Sequence, residues 1–150
     1  MALRVAILVS RYHERVTGKL LDGARVACRE SGLADAAVDV IHVPGAFELG
    51  LAAEACARSG RYQALVALGV VVRGETPHFD YVAGETSRML AEVAREHAIP
   101  VGFGLLTTET LDQAVARAGG AAGNKGHEAA QAALEMAGVV ARLLGPDAQA

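Results

Sequence analysis

Four apolar-rich runs divide the chain and predict the strands of one sheet. The third run is a continuous apolar stretch, and it ends in a charged turn that contains glycine. A continuous apolar run bounded by turn residues is typical of a strand that is buried on both faces of a parallel sheet. The predicted strands cover residues 3–9, 37–43, 64–72 and 100–106.

Apolar positions at helical spacing fill the segments between these runs. Strands that alternate with helices require right-handed crossovers and a parallel sheet that is covered on both sides. We therefore predict a three-layer α/β/α fold with a four-stranded parallel sheet, formed by residues 1–150 as a single domain. A capping box of Thr110 and Gln113 starts the fourth helix. The helices are predicted at residues 14–31, 48–59, from the turn at 73–78 to about 97, 110–118 and 125–144.

The turn after the third predicted strand is the first candidate site. In open α/β sheets, ligands bind outside the carboxyl ends of the strands, and residues 73–78 fall there. Gly74 lets the backbone approach a ligand, Thr76 offers a hydroxyl group, and amides at a helix start favour phosphate. His78 is suited to proton transfer near neutral pH. This composition favours an anionic substrate, and the alternative is a surface loop with an incidental histidine.

The other strand ends add aromatic and acidic side chains. Tyr12, Phe47 and Phe103 lie beside strand ends, and they are half of the three Phe and three Tyr residues of the chain. Aromatic residues in an α/β protein usually belong to the core, but this clustering favours surfaces on which a planar ring could stack. Glu48 adds a carboxylate that could accept hydrogen bonds from hydroxyl or ring N–H groups.

Two cations, Arg117 and Lys125, flank a glycine-rich break near the end of the chain. Taken alone, they are more typical of solvated side chains at helix ends. No Ser or Thr follows Lys125 and no GxGxxG sequence is present, so neither a Walker motif nor a dinucleotide fold is predicted. The five histidines show no HxH or HxxxH spacing, and we expect no metal site.

Composition and charge restrict the partners of the protein. A net charge of -3 and the lack of a basic block argue against nucleic acid. No apolar run reaches the length of a membrane span, and no secretory signal precedes the first strand pattern. Cys28 and Cys56 lack CxxC spacing and are predicted to be reduced core thiols.

Apolar residues make up 52% of the chain, which favours a buried subunit interface. We expect a cytoplasmic homo-oligomer.

Five longer motifs resemble those of the lumazine synthase family. They occur in the family's order and extend the resemblance from about Val5 to Met136, over nearly the whole chain. The family has a flavodoxin-like sheet, which the resemblance therefore implies here. The motifs are Val-Pro-Gly-Ala-Phe-Glu (43–48), Leu-Gly-Val-Val-Val-Arg-Gly-Glu-Thr-Pro-His-Phe-Asp-Tyr (68–81), Phe-Gly-Leu-Leu-Thr-Thr-Glu-Thr (103–110), Gln-Ala-Val-Ala-Arg-Ala-Gly (113–119) and Gly-Asn-Lys-Gly-x-Glu-Ala-Ala (123–130).

The resemblance implies an enzyme of riboflavin biosynthesis. The implied reaction condenses 5-amino-6-(D-ribitylamino)uracil with 3,4-dihydroxy-2-butanone 4-phosphate to 6,7-dimethyl-8-ribityllumazine, with release of phosphate and water. It needs proton transfer and two substrates held together, but no metal ion and no cofactor.

Two alternatives to this enzyme remain open. One is a non-catalytic flavin or pteridine carrier on the same fold, although storage would not require the phosphate-binding set of Thr76, Arg117 and Lys125 or the proton-transfer residue His78. The other is a flavodoxin-like FMN-binding protein. That alternative lacks the Ser/Thr-rich phosphate loop expected after the first strand, where this chain has Arg-Tyr-His-Glu (11–14).

The resemblance, carried over residue by residue, implies one set of side chains for the pyrimidine substrate. Tyr12 takes the position of the aromatic side chain that stacks on the ring, where the family more often has Phe or Trp. Glu48 would meet the ribityl chain. The other residues implied to contact this substrate are Ala46, Phe47 and, through backbone groups, Val70, Val71 and Val72.

A second set of residues is implied for the phosphorylated substrate. Glu75 and Thr76 would hold its phosphate through the loop backbone and a hydroxyl group, and His78 would be the catalytic residue that transfers protons. Arg117 would bind phosphate, with Lys125 in support nearby. The carboxylate of Glu75 departs from the small or Asp residues common in the family, so its backbone is expected to matter more than its side chain.

The resemblance also implies a specific assembly. In the family the site lies between adjacent subunits of a pentamer, and Phe103 would reach it from a neighbouring subunit. Larger icosahedral shells accompany a short link between the last two helices, and residues 118–124 carry no insertion. Many relatives have an extra N-terminal strand that pairs with a neighbour. This sequence starts almost at its first core strand, so we expect fewer contacts between subunits. We expect a pentamer that can form an icosahedral shell.

Overall fold

A parallel sheet lies at the centre of the structure. The computed structural model describes residues 2–146 of the chain. The strands of the parallel sheet are β1 (Val5–Ser10), β2 (Val38–Val43), β3 (Ala64–Val72) and β4 (Val101–Thr108), in the order β2-β1-β3-β4. The α-helices are α1 (Glu14–Glu30), α2 (Leu49–Ser59), α3 (His78–His97), α4 (Leu111–Ala116) and α5 (Lys125–Leu144).

Two hydrophobic cores fill the space between the sheet and its helices. α1 and α5 cover one face of the sheet, and α2 and α3 cover the other. Successive side chains of β3 alternate between the cores, with Val66 and Leu68 in the first and Leu65 and Ala67 in the second. The prediction of three layers around a four-stranded parallel sheet is therefore confirmed, and the strand order is the one found in flavodoxin-like folds.

The predicted bounds of β3 and α5 are confirmed at both ends, whereas β4 is longer than predicted. The sequence placed Thr107 and Thr108 in a loop after a strand that ended at residue 106. In the structure these two residues continue β4, because they pair with Val71 and Val72 at the end of β3. The pairing places the carboxyl ends of β3 and β4 side by side.

A short ribbon between α4 and α5 was not predicted. The capping box is present, since Thr110 Oγ1 accepts a hydrogen bond from Gln113 N at 3.2 Å. The helix nevertheless ends at Ala116 instead of residue 118. The next residues form an antiparallel pair of strands, β5 (Ala118–Gly120) and β6 (Gly123–Asn124). Gly119 and Gly123 permit this turn, because their φ angles of 97° and 85° favour glycine.

Glycines bring α5 into backbone contact with α1 and β4. A Cβ atom at Gly126 would lie 2.0 Å from Leu20 O of α1, and one at Gly102 would lie 2.2 Å from a carbonyl oxygen of α5. Asn124 secures the start of α5, because its Oδ1 accepts from Gly126 N at 2.9 Å and its Nδ2 donates to Lys19 O at 3.0 Å. There is therefore no room for a side chain at Gly126 of α5 or at Gly102 of β4.

The two cysteines lie in the two cores. Cys28 and Cys56 are buried and form no disulfide, and burial raises the pKa of both thiols. A raised pKa lowers the thiolate fraction and with it the reactivity. Their prediction as core thiols is confirmed. Within residues 2–146, no helix combines the length and the apolar character needed to cross a membrane.

A polar network near the amino ends of the strands makes the fold sensitive to acid. Asp39 of β2 accepts hydrogen bonds from Tyr62 Oη at 2.6 Å and from Arg4 Nη2 at 3.2 Å. These bonds, the one from Tyr62 first, lower the pKa of Asp39 from its usual 3.8. Asp39 therefore stabilises the fold above its unfolded pKa, and this contribution is lost as the pH falls through the folded pKa.

We expect the free energy of unfolding to fall less on acidification in Tyr62→Phe than in the unsubstituted protein, because the variant lacks the main hydrogen bond to Asp39. The difference should develop below about pH 4, where the carboxyl begins to protonate. Urea unfolding at a series of pH values measures it. Tyr81→Phe, at an exposed tyrosine of α3, is the matched control. Equal acid sensitivity in Tyr62→Phe and the unsubstituted protein would contradict the expectation.

Candidate active site

A cavity of about 940 Å³ lies at the carboxyl ends of β1, β2 and β3. Ligands of parallel sheets bind at this end of the strands. Helix α3 forms the outer wall of the cavity. The volume is large enough for a drug-sized ligand, since such pockets measure roughly 300–1,000 Å³. The lining residues are Tyr12, His13, Gly45, Ala46, Phe47, Glu48, Val70, Val71, Val72, Gly74, Thr76, His78, Phe79, Tyr81, Val82 and Glu85.

Tyr12 and Phe47 give the cavity two accessible aromatic faces. The relative exposures of these side chains are 67% and 52%, so neither ring is buried in a core. Tyr12 is followed by His13, which has a φ angle of 62° in the left-handed region and stands before the first residue of α1. The rings of Tyr12 and His13 meet edge to face, with centroids 4.5 Å apart. Strained backbone of this kind clusters at binding sites, and here the turn carries Tyr12 beside the cavity.

The turn between β2 and α2 supplies a carboxylate. Ala46 is buried, and its carbonyl oxygen accepts a hydrogen bond from Thr86 Oγ1 of α3 at 3.3 Å. Glu48 is half-buried, and a Cβ atom at Gly45 would lie 3.2 Å from its Oε1 atom. The glycine therefore leaves room for the carboxylate close to the backbone. The arrangement can present an acceptor to hydroxyl groups of a bound ligand.

The loop after β3 supplies a hydroxyl group and an imidazole. Gly74, Thr76 and His78 are exposed to solvent and line the cavity. His78 begins α3, and its backbone N–H donates to Thr76 Oγ1 at 3.4 Å. Open space surrounds the position of a Cβ atom at Gly74. Backbone amides at the start of a helix suit an anion, and the imidazole can exchange protons near neutral pH.

A second carboxylate of the cavity, that of Glu85, is bound by Arg88, which does not line the cavity. Arg88 Nη2 donates to Glu85 Oε2 at 2.6 Å, and Arg88 Nη1 pairs with Glu92 on the next turn of α3. The hydrogen bond to Glu85 raises the pKa of Arg88. No Lys or Arg is found among the described residues that line this cavity. The cavity therefore offers stacking surfaces, acceptors and a proton-transfer group, but no cationic side chain for a phosphate.

The cations lie around a second cavity of about 440 Å³ at the end of β4. Arg117 and Lys125 both line it, together with Gln113, Glu109 and Glu128. Arg117 Nη1 donates to Gln113 O at 2.9 Å, and Lys125 N donates to Arg117 O at 2.8 Å. The ribbon of β5 and β6 thus places the two cations together at the junction of α4 and α5.

The structure brings most of the residues singled out in the sequence into two groups. Tyr12, Ala46, Phe47, Glu48, Val70, Val71, Val72, Thr76 and His78 line the first cavity, and Arg117 and Lys125 line the second. Phe103 and Glu75 line neither. Phe103 lies on the edge strand β4 with 43% exposure. Its ring is therefore available to a neighbouring molecule.

Several lining residues of the first cavity were missed in the sequence. Tyr81, Val82 and Glu85 follow His78 by three, four and seven positions, which is the spacing of one helix face. Continuing the predicted helix from His78 could have found them. His13 gave only a weak signal, because histidine is enriched among the non-glycine residues with positive φ but few histidines adopt it. Gly45 and Phe79 were also not singled out by themselves, whereas Gly74 was predicted and lines the cavity.

Three possible metal ligands lie together on the outside of α2 and α3. Glu54, Glu96 and His97 present ligand atoms within 4.8 Å of one another. Arg58 and Arg95 lie 3.8 Å and 4.0 Å from the two carboxylates and already compensate their charge. The three residues line neither cavity, so the cluster stands apart from the candidate active site.

Comparison with known families gives a match over almost the whole chain. A family model described as 6,7-dimethyl-8-ribityllumazine synthase matches residues 2–141 of 150. The matched segment contains the parallel sheet, the residues that line both cavities, and α5 except for its last three residues. The relationship therefore covers the complete α/β layer structure and both groups of candidate site residues.

Proposed function

Because the chain belongs to the 6,7-dimethyl-8-ribityllumazine synthase family, we propose that it condenses 5-amino-6-(D-ribitylamino)uracil with 3,4-dihydroxy-2-butanone 4-phosphate. Family membership makes it a transferase of riboflavin biosynthesis. The products are 6,7-dimethyl-8-ribityllumazine, phosphate and water. We further propose that residues 1–150 form one domain of this family and that it works in the cytoplasm.

The composition of the first cavity is the observation that carries the proposal. Tyr12 and Phe47 can stack on the pyrimidine ring, and the backbone at the end of β3 can bond to its edge. Glu48 can accept hydrogen bonds from the ribityl hydroxyl groups. These features suit a flat, polar ring with a hydroxylated chain, and they lie within one cavity of matching size.

The remaining groups suit the chemistry of the condensation. The aromatic amine attacks the ketone, phosphate leaves by elimination, and the ribitylamine closes the second ring. Each step moves protons, and His78 is the cavity residue best suited to move them. Thr76 and the backbone of Glu75 can hold the phosphate. Holding two substrates in reactive geometry can itself supply on the order of 7–11 kcal/mol, so positioning carries much of the proposed rate enhancement.

The charge distribution supports a site that two subunits complete. A phosphate dianion would enter a cavity that contains Glu48 and Glu85 and, among the lining residues that the structure describes, no Lys or Arg. Arg117 and Lys125 are grouped elsewhere on the same chain, where a neighbouring copy could present them. The exposed ring of Phe103 could join the same interface. We propose a pentamer in which each cavity receives these residues from the adjacent subunit.

The first experiment measures product formation directly. Incubation of the purified protein with both substrates should generate the fluorescence of the lumazine and an equal amount of inorganic phosphate. Omission of either substrate is the control. A non-catalytic carrier would bind the lumazine without releasing phosphate from the mixture, and that outcome would overturn the proposed function.

A mixed assembly tests the shared site. We expect co-expression of His78→Ala and Arg117→Ala chains to give about a quarter of the unsubstituted activity, because random neighbours restore one intact site in four. Each variant alone should be much less active. As a control, unsubstituted chains co-expressed with a chain carrying both substitutions should retain about a quarter if sites are shared and about half if they are not. A mixture no more active than its components would contradict sharing.

The size of the assembly is a separate part of the proposal. The short link at residues 118–124, folded as a compact ribbon, is compatible with the close contacts of an icosahedral shell of pentamers. Contacts between pentamers are smaller than those within a ring and should respond to salt. Light scattering over a range of ionic strengths distinguishes pentamers from shells, and an active monomer would contradict both.

A further inference from the structure

Arg73 makes three contacts just beyond the end of β3. Its Nε donates to Glu109 Oε1 at 3.0 Å, and its Nη1 lies 3.4 Å from Asp80 Oδ1. The guanidinium carbon lies 4.2 Å from the centroid of the Phe79 ring. The hydrogen bond to Glu109 raises the pKa of Arg73, so the side chain stays charged. One residue therefore connects the turn after β4 to the first turn of α3.

The loop that follows Arg73 and connects β3 to α3 has few other attachments. Residues 74–78 are exposed, and a Cβ atom at Gly74 would meet nothing within 4 Å. Hydrogen bonds described inside the loop region are local, from His78 N to Thr76 Oγ1 at 3.4 Å and from Asp80 N to Pro77 O at 3.0 Å. At its start, Arg73 N donates to Thr108 O at 2.9 Å. The described contacts that tie the loop to the rest of the chain thus pass through Arg73.

The chemistry of arginine is specific to this position. A planar guanidinium can stack on an aromatic ring and donate hydrogen bonds from its edge at the same time, whereas an ammonium group cannot do both. Hydrogen bonds also connect Arg73, through Glu109, to residues that line the second cavity. Glu109 N donates to Gln113 Oε1 at 2.9 Å, and Gln113 O accepts from Arg117 at 2.9 Å. Arg73 therefore lies between the loop of the first cavity and α4, the helix that Arg117 follows.

We propose that Arg73 is a positioning residue that holds the 74–76 loop in the conformation that receives the phosphate of the butanone substrate. The inference rests on the proposed function, and it assigns a role to a residue that does not line the cavity. Arg73 acts on the cavity through Phe79, which its guanidinium covers, and through the loop backbone. Its Nε and Nη1 already face the carboxylates of Glu109 and Asp80, which offset its charge, so we assign it the support of the loop and not contact with the phosphate.

Steady-state kinetics of Arg73→Ala test this role. We expect the KM of the butanone phosphate to rise about tenfold and the KM of the pyrimidine to change less than about twofold, because only the phosphate loop loses its support. Arg73→Lys should recover little, since lysine cannot stack and bridge together. Arg29→Ala removes a comparable exposed ion pair with Asp35 on α1 and is the matched control. Equal increases in both KM values would overturn the proposal.

Glu109→Gln separates positioning from direct phosphate binding. If Arg73 positions the loop, loss of the charge of Glu109 weakens the bridge, and the KM of the butanone phosphate rises. If Arg73 were a phosphate ligand, its release from Glu109 would strengthen binding, and that KM would fall. A fall would overturn the proposal.

Hydrogen exchange of the free protein gives a readout that needs no substrate. Amide exchange in residues 74–80 should be faster in Arg73→Ala than in the unsubstituted protein and unchanged in Arg29→Ala. Unchanged exchange in Arg73→Ala would overturn the positioning role even if the enzyme is active. An unsubstituted protein that forms no lumazine would overturn the proposed function, while the exchange comparison would still decide whether Arg73 anchors the loop.

Discussion

Substitution of His78 by alanine is expected to slow turnover about 10- to 1,000-fold and to leave the KM values of both substrates nearly unchanged. His78 is the first residue of α3, exposed at the cavity and next to the phosphate loop. A proton-transfer group contributes to the reaction step, whereas the rings, the carboxylate and the loop contribute to binding. The loss should therefore appear in kcat.

Single-turnover and steady-state measurements of lumazine formation check this expectation. His42→Ala is the control, because His42 is an exposed histidine of β2 that lines neither cavity. An unchanged kcat in His78→Ala would remove the imidazole from the mechanism. A complete loss of activity in a correctly assembled protein would show that positioning contributes less than we propose.

Gly126→Ala is expected to lower the free energy of unfolding by about 2–4 kcal/mol, which is a large effect for one methyl group. The new Cβ atom, whose position is fixed by the backbone of α5, would lie 2.0 Å from the backbone oxygen of Leu20. No rotamer change can relieve such a clash. The start of α5 would have to move away from α1, which would also disturb the cap at Asn124.

Gly138→Ala in the same helix provides the control for this prediction. A Cβ atom at Gly138 would meet nothing within 4 Å, so only helix propensity acts there, and a gain of up to about 1 kcal/mol is expected. Urea unfolding should be compared at one protein concentration, because assembly contributes to the measured stability. Equal effects at the two glycines would show that the α1–α5 contact can relax.

The parts of the fold that were predicted correctly depend on local patterns. β3 is a continuous apolar run, and α5 begins after a glycine-rich break and keeps helical spacing to its end. Thr110 and Gln113 form a capping box that needs only four residues to be seen. In contrast, Thr107 and Thr108 extend β4 because of a pairing with β3, and the ribbon of β5 and β6 is too short to show a hydrophobic period.

The residues of the candidate site that lie at the carboxyl ends of the strands were predicted from the sequence. The rule that ligands bind at the carboxyl ends of parallel strands was enough to group Tyr12, Phe47 and His78. Contacts between distant residues were not predictable in this way. Arg73 and Glu109 are 36 positions apart, and nothing in either local sequence indicates their ion pair. The roles of Phe103, Arg117 and Lys125 come from the resemblance and stay predictions.

The two hydrophobic cores have a consequence for protein engineering. The first cavity lies at the carboxyl ends of the strands with α3 as its outer wall, whereas the glycine contacts of α5 lie in the core on the opposite face of the sheet from α3. Substitutions on the two faces share few partners, so their effects on stability should be close to additive. A variant stabilised in the α1–α5 layer could therefore serve as the parent of libraries that vary residues 45–48 and 74–76. The choice of pyrimidine or ketone could then be altered in a scaffold that tolerates the accompanying loss of stability.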